Sequence, residues 1–195
     1  MSEVPLSAAE RHTLLEIARS ALTEAVNGRE IQELPLEGLT SRLSSLGTSF
    51  VTLTRKGDLR GCIGGLQARY PLAEDVRQHT VAAALQDYRF GPVGPAEVGE
   101  VEIEISILNT PQLLPAAPPE ALLKALRPGI DGVILISGPF RATFLPQVWE
   151  KIPEPDRFLD TLCAKAGIPA HTWRSGEVEV FAYQVESFRE TREAG

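Results

Sequence analysis

SFVTLTRKGDLRGCIGGL, residues 49–66, is the stretch whose reading decides the fold. Ser49 to Thr54 is rich in Val, Thr and Phe, which suit a pleated, half-buried strand. Lys56-Gly57-Asp58 is a turn signal and residues 59–63 follow as a return strand, so the stretch reads as a β-hairpin. In an extended 59–63 the side chains alternate: Leu59, Gly61 and Ile63 face one way, Arg60 and Cys62 the other. The hairpin therefore sets a thiol beside a guanidinium, either as a site or as packing.

Upstream, Ser7-Ala8-Ala9-Glu10 has the form of a capping box, and Leu14, Leu15, Ile17, Ala18, Leu22, Ala25 and Val26 follow at helical spacing up to Asn27-Gly28. Downstream, Tyr70-Pro71 starts a helix that the Leu72, Val76, Thr80, Ala83, Ala84 pattern carries to about residue 86. Asp87-Tyr88-Arg89-Phe90 reads as a loop, and Val101 to Ile107 alternates as a half-buried strand with one solvated carboxylate face. Four prolines in 111–119 mark a crossing between lobes and lead into a short helix at 120–126. Val133–Ser137 and Arg141–Leu145 read as a second hairpin, 147–151 and 156–166 as helices, and 178–187 as a central strand.

The chain has 195 residues, 43% hydrophobic and 23% charged, an ordinary globular composition able to bury its own core as one domain or two interlocked lobes. A net charge of −7 without a basic run argues against nucleic acid or an anionic membrane as partner. The N-terminus lacks the charged-then-apolar pattern of a secretory signal and the apolar runs are too short to span a bilayer, so the expected location is the cytoplasm. There the two cysteines, 62 and 163, are expected as thiols. The three histidines, at 12, 79 and 171, have no metal-ligand spacing, and no metal or cofactor is expected.

A cation beside Cys62 would favour the thiolate, the nucleophilic form. Gly61, Gly64 and Gly65 would let a ligand or a second backbone segment come close, and consecutive free amides there would form an anion-binding nest. Against this stands packing, since free cysteine is among the most buried residue types, and residue chemistry alone favours that reading. The glycine spacing matches neither nucleotide-binding motif. His79 is the candidate base, although a lone helical histidine more often packs or lies at the surface. Asp87 and Arg89 read as an ion pair tying a loop, or as Arg89 displayed toward an anion. Asp131 reads as a turn former, and Glu102 and Glu104 as a solvated edge rather than a paired acid and base. No Ser-His-Asp or Cys-His arrangement is recognisable.

Leu59-Arg60-Gly61-Cys62-Ile63-Gly64 resembles the hallmark hexapeptide of the AmmeMemoRadiSam system protein A family, the family of the AMME-syndrome chromosomal region. Asp87-Tyr88-Arg89-Phe90, Val101 to Leu108, Gly129-Ile130-Asp131-Gly132, Phe144 to Trp149 and Tyr183-Gln184-Val185-Glu186 extend the resemblance in order over roughly residues 10 to 190. The family usually reads Asp-Pro-Arg-Phe; Tyr88 releases the φ that proline would fix and leaves Asp87 and Arg89 in place. The resemblance implies one α+β domain over 1–195, built as a larger and a smaller lobe with mixed or antiparallel sheets flanked by helices, and the hexapeptide near their junction.

Three functional readings follow. In the first, the chain is a cytosolic component of a modification system shared with Memo-like and radical-SAM proteins. It binds a partner or a small anionic ligand around Leu59–Gly64: Arg60 holds the negative group, Cys62 lines the site, and Gly61, Gly64, Gly65, Asp87 and Arg89 belong to the ligand-binding set. In the second it is an enzyme with Cys62 as nucleophile or acyl acceptor, Arg60 beside it and His79 as base. In the third it is a scaffold whose glycines only let two lobes pack tightly.

Overall fold

The computed structural model describes residues 5–29 and 34–191. In chain order its elements are helices α1 (Ala8–Val26) and α2 (Ser41–Ser44), strands β1 (Leu46–Gly47), β2 (Ser49–Arg55), β3 (Asp58–Gly64) and β4 (Tyr70–Pro71), helix α3 (Leu72–Leu85), strands β5 (Val101–Leu108) and β6 (Gln112–Leu113), helix α4 (Pro119–Ala125), strands β7 (Gly132–Ser137) and β8 (Phe140–Phe144), helix α5 (Pro155–Ala166), and strands β9 (Glu179–Tyr183) and β10 (Val185–Arg189). The fold is α+β, and the chain divides into two compact units, residues 1–108 with 186–195, and residues 109–185.

The first unit is built on the expected hairpin. Val51 pairs with Ile63, Thr52 with Cys62 and Leu53 with Gly61, with a bulge between Leu53 and Thr54. The sheet runs β10-β5-β2-β3, so β3 is its last strand. Helices α1 and α3 cover one face, where Leu14, Ala18 and Leu22 of α1 and Val76 and Ala83 of α3 pack with Val51, Leu53, Ile103 and Ile105 of the strands. Burying each of the valines, leucines and isoleucines among them contributes about 1.5–3 kcal/mol. Helix α1 starts where the capping box requires: Glu10 N donates to Ser7 Oγ at 3.2 Å, and Ser7 N donates to Glu10 Oε2 at 2.8 Å.

Two expectations are corrected. The alternation in β5 predicts a solvated edge for Glu102 and Glu104, but β5 lies between β10 and β2 and both carboxylates are half-buried on an interior strand. Alternation reports which face a residue is on, while strand order comes from tertiary pairing. Residues 178–187 are not one strand. The ladder of β9 ends at Tyr183, and Gln184 is engaged sideways: its N–H donates to Asn109 Oδ1 at 2.7 Å and its carbonyl accepts from Asn109 N at 3.1 Å. After that break β10 joins the first unit's sheet.

In the second unit the sheet runs β6-β9-β7-β8, with β6 drawn from inside the proline-rich stretch. Its core centres on Phe158 of α5, stacked on Trp149 at 3.7 Å between ring centroids and edge-on to Phe144 at 5.2 Å. Asp131 is more than a turn former: it is buried, accepts from Arg127 Nη2 at 2.6 Å and from Arg127 N at 2.9 Å, and its carbonyl accepts from the Trp149 indole at 2.7 Å. No helix among the described residues is long and apolar enough to cross a membrane.

Candidate functional site

The hexapeptide is β3 without its first residue, Asp58. Gly61 faces α3: a Cβ there would stand 2.2 Å from the Ala83 carbonyl oxygen, so only glycine lets helix and strand approach this closely. Ile63, on the same face, packs into the core. On the opposite face Gly64 lies under the Phe50 ring, which an added Cβ would meet at 2.3 Å. The close approach foreseen for these glycines is made by the protein's own helix and ring. Of the amides expected to form an anion nest, that of Gly65 is used by the sheet, donating to Ser49 O at 3.1 Å.

Arg60, expected to hold a negative group, has one within the protein itself. Its Nε and Nη2 donate to the Glu97 carboxylate at 2.9 and 3.1 Å, Nη1 donates to Gly91 O at 2.8 Å and Nη2 to Pro92 O at 2.9 Å. These bonds draw its side chain in to 16% exposure. The Arg60 hydrogen bond, the Gly94 amide and the nearby charges of Arg60 and Arg55 hold Glu97 down at about 2.

Asp87 and Arg89 close on the outer side of β3. Asp87 Oδ2 accepts from Cys62 N at 2.8 Å, and Arg89 Nη2 donates to Cys62 O at 3.2 Å. The two side chains pair with each other at 2.6 and 2.9 Å, and Arg89 N donates to Asp87 Oδ1 at 3.2 Å. Foremost the Arg89 hydrogen bond, then the amides of Cys62 and Arg89, hold the buried Asp87 carboxyl well below the usual carboxylate range. Arg89 is raised in turn, first by its hydrogen bond to Asp87. Tyr88, standing where proline is usual, is 94% exposed and leaves this clamp intact.

The Cys62 thiol is half-buried and accepts a hydrogen bond from Thr52 Oγ1 at 3.4 Å. His79, the expected base, makes its hydrogen bonds elsewhere. Its Nδ1 lies 3.0 Å from Asp75 Oδ2 and 3.3 Å from Ser49 Oγ, while Ser49 donates from both N and Oγ to the same Asp75 oxygen at 2.8 and 2.7 Å. This is a Ser-His-Asp cluster that the residue order conceals, yet it is not a nucleophile triad. The hydroxyl is donated to the carboxylate, and one ring nitrogen faces both partners, where a triad uses opposite nitrogens.

Glu104 is the residue that sequence reasoning set aside. Thr52 is the register partner of Cys62 on one side and of Glu104 on the other, so thiol, hydroxyl and carboxylate form one row across three strands. Knowledge of the strand order is the signal that would have found it. Among the described residues no group of three or more His, Cys, Asp or Glu is arranged to hold a metal ion. A groove of about 890 Å³ between α1 and β10, lined by Arg11, Leu15, Arg19 and Phe188 among others, contains none of the hexapeptide.

The model of the family described as AMMECR1 matches residues 15–188. A protein of Methanothermobacter thermautotrophicus is 35% identical over 195 residues, covering 97% of this chain and 99% of its own length. A protein of Thermofilum pendens is 34% identical over 205 residues, covering 97% and 94%. The crystal structure of uncharacterised protein PH0010 from Pyrococcus horikoshii is similar with a TM-score of 0.84 at 32% identity, covering 95% of this chain and 93% of that one. By motif order, extent of match and fold, the chain belongs to the AMMECR1 family.

Proposed function

We propose that this chain is a cytoplasmic component of a modification system in which the Cys62 thiol meets the group being modified or handed on, with Memo-like and radical-SAM proteins as its partners. The site is the one expected around Leu59–Gly64; the role in it passes from Arg60 to Cys62. One observation carries the reading. Arg60 is engaged by Glu97 and two carbonyls, and Gly61, Ile63 and Gly64 serve packing, whereas Cys62 keeps a half-buried thiol whose peptide is held on both sides by Asp87 and Arg89. A group whose backbone is fixed so firmly, and whose thiol takes only a long bond from Thr52, suits chemistry better than support.

The wild-type chain tests this directly, because Cys163 is fully buried and burial pushes its thiol up, leaving it silent. Iodoacetamide should modify Cys62 in the native protein, and Cys62→Ser should weaken binding of the Memo-like or the radical-SAM protein. A Cys62 that stays protected until the chain unfolds, with partner affinities unchanged in Cys62→Ser, would transfer the case to the scaffold reading.

A further inference from the structure

We infer that Glu104 is the proton acceptor for Cys62, acting across Thr52, and that the row takes an uncharged acyl compound; this rests on the reading of Cys62 as the reacting group. The geometry comes from the ladder. The N–H and C=O of Cys62 point outward to Asp87 and Arg89, so Cys62 and Thr52 form a non-hydrogen-bonded pair, the kind that brings side chains closest, with Cα atoms roughly 4.5 Å apart. Thr52 then turns its own peptide toward β5, where Glu104 lies opposite at roughly 5.5 Å between Cα atoms. All three side chains emerge on the face opposite α1 and α3, and all three are half-buried.

Among the described residues Glu104 has no hydrogen-bond or ion-pair partner, in contrast to Glu97, Glu100, Glu186 and Glu190, each of which holds an arginine. A half-buried carboxylate on an interior strand gains nothing for the fold by standing alone. Its neighbour two residues along, Glu102, lies on the same face opposite Thr54. Two carboxylates and a thiol able to ionise repel an anion, while Phe50, whose ring lies over Gly64, gives the row an apolar flank. The fitting substrate is therefore a neutral carbonyl group, an ester, thioester or amide.

The step balances without a further reactant. Cys62 Sγ bonds to the carbonyl carbon as the bond to the leaving group breaks; the thiol proton passes to Thr52 Oγ1, whose own proton passes to the Glu104 carboxylate. Glu104 returns a proton to the leaving group, and the products are a Cys62 thioester and the released alcohol, thiol or amine. A hydroxyl is suited to the middle place because it both accepts and donates and rotates freely. Thr52 Oγ1 lies 3.4 Å from Sγ, within reach for the first of these transfers.

The test uses the whole wild-type chain and p-nitrophenyl acetate, following acetylation of Cys62 by mass spectrometry across pH. Glu104→Gln keeps the side chain's shape and should slow acetylation about 100-fold at neutral pH, the lower end of general-base effects. Thr52→Val should match it, and Thr52→Ser should restore the wild-type profile, a rescue that a packing role would not give. Thermal melts of each variant exclude misfolding as the cause. Acetylation of Glu104→Gln at the wild-type rate throughout the pH range, with Cys62 reactive, would overturn the inference and leave the proposed function standing. A wild-type Cys62 inert to acetate ester and iodoacetamide alike would overturn both.

Discussion

Gly61 and Gly65 stand four positions apart and answer differently to the same added methyl group. At Gly61 a Cβ would lie 2.2 Å from a backbone oxygen of α3, which cannot retreat without unpacking Val76 and Ala83 from the sheet; at Gly65 the nearest atom would be 3.4 Å away, on the His79 ring. Gly61→Ala should lower stability by about 3 kcal/mol, the upper range of overpacking effects, and Gly65→Ala by less than about 1 kcal/mol. Urea midpoints measured at unchanged slope check the pair. The need for close approach at Gly61 was legible in the sequence. The fate of Arg60 was not, because Glu97 is 37 residues away and nothing local announces it. Glu104 was overlooked for a related reason: its alternation was read correctly, but the identity of its cross-strand neighbour is tertiary information.

At the scale of the element, the loop after α3 completes the hairpin's outer strand. Asp87 supplies an acceptor and Arg89 a donor to one residue of β3, 25 and 27 positions away in the chain. Asp87→Ala leaves the Cys62 amide and the Arg89 guanidinium without their charged partner, and should cost about 2–3 kcal/mol, the scale of hydrogen bonds to charged groups. Hydrogen exchange at the Cys62 amide should accelerate more than at Val51 or Ile105, deeper in the sheet; equal acceleration at all three would mean that the loop supports the whole sheet rather than its outer strand. The hairpin, α1, α3 and β5 were all readable from periodicity and turn residues. The short pieces β1, β4 and β6 were not, since two-residue strands have no period to read and exist only through their partners.

The whole molecule carries its acid sensitivity in the same region. Asp87 and Glu97 are both held below their ordinary range, Glu97 at about 2, so in the folded state they stay ionised after the unfolded chain has taken up protons. Their contribution is complete above about pH 4.5, where unfolded carboxylates are ionised, and is lost as the pH falls through the folded values. Stability measured by urea should therefore fall steeply between about pH 4.5 and about pH 2. Glu97→Gln should lower stability by roughly 1–3 kcal/mol at neutral pH and flatten that slope. A slope as steep as that of the wild type would assign the acid lability to other carboxylates.

The clamp on β3 also bears on how molecules of this protein meet one another. An uncovered outer strand presents a row of unpaired donors and acceptors that a strand from another copy can join, and each added copy offers the same row again. Asp87 and Arg89 satisfy the peptide of Cys62 as a neighbouring strand would, yet two side chains have no further ladder to offer. The pair acts as a terminator, stopping the ladder at the strand that carries Cys62.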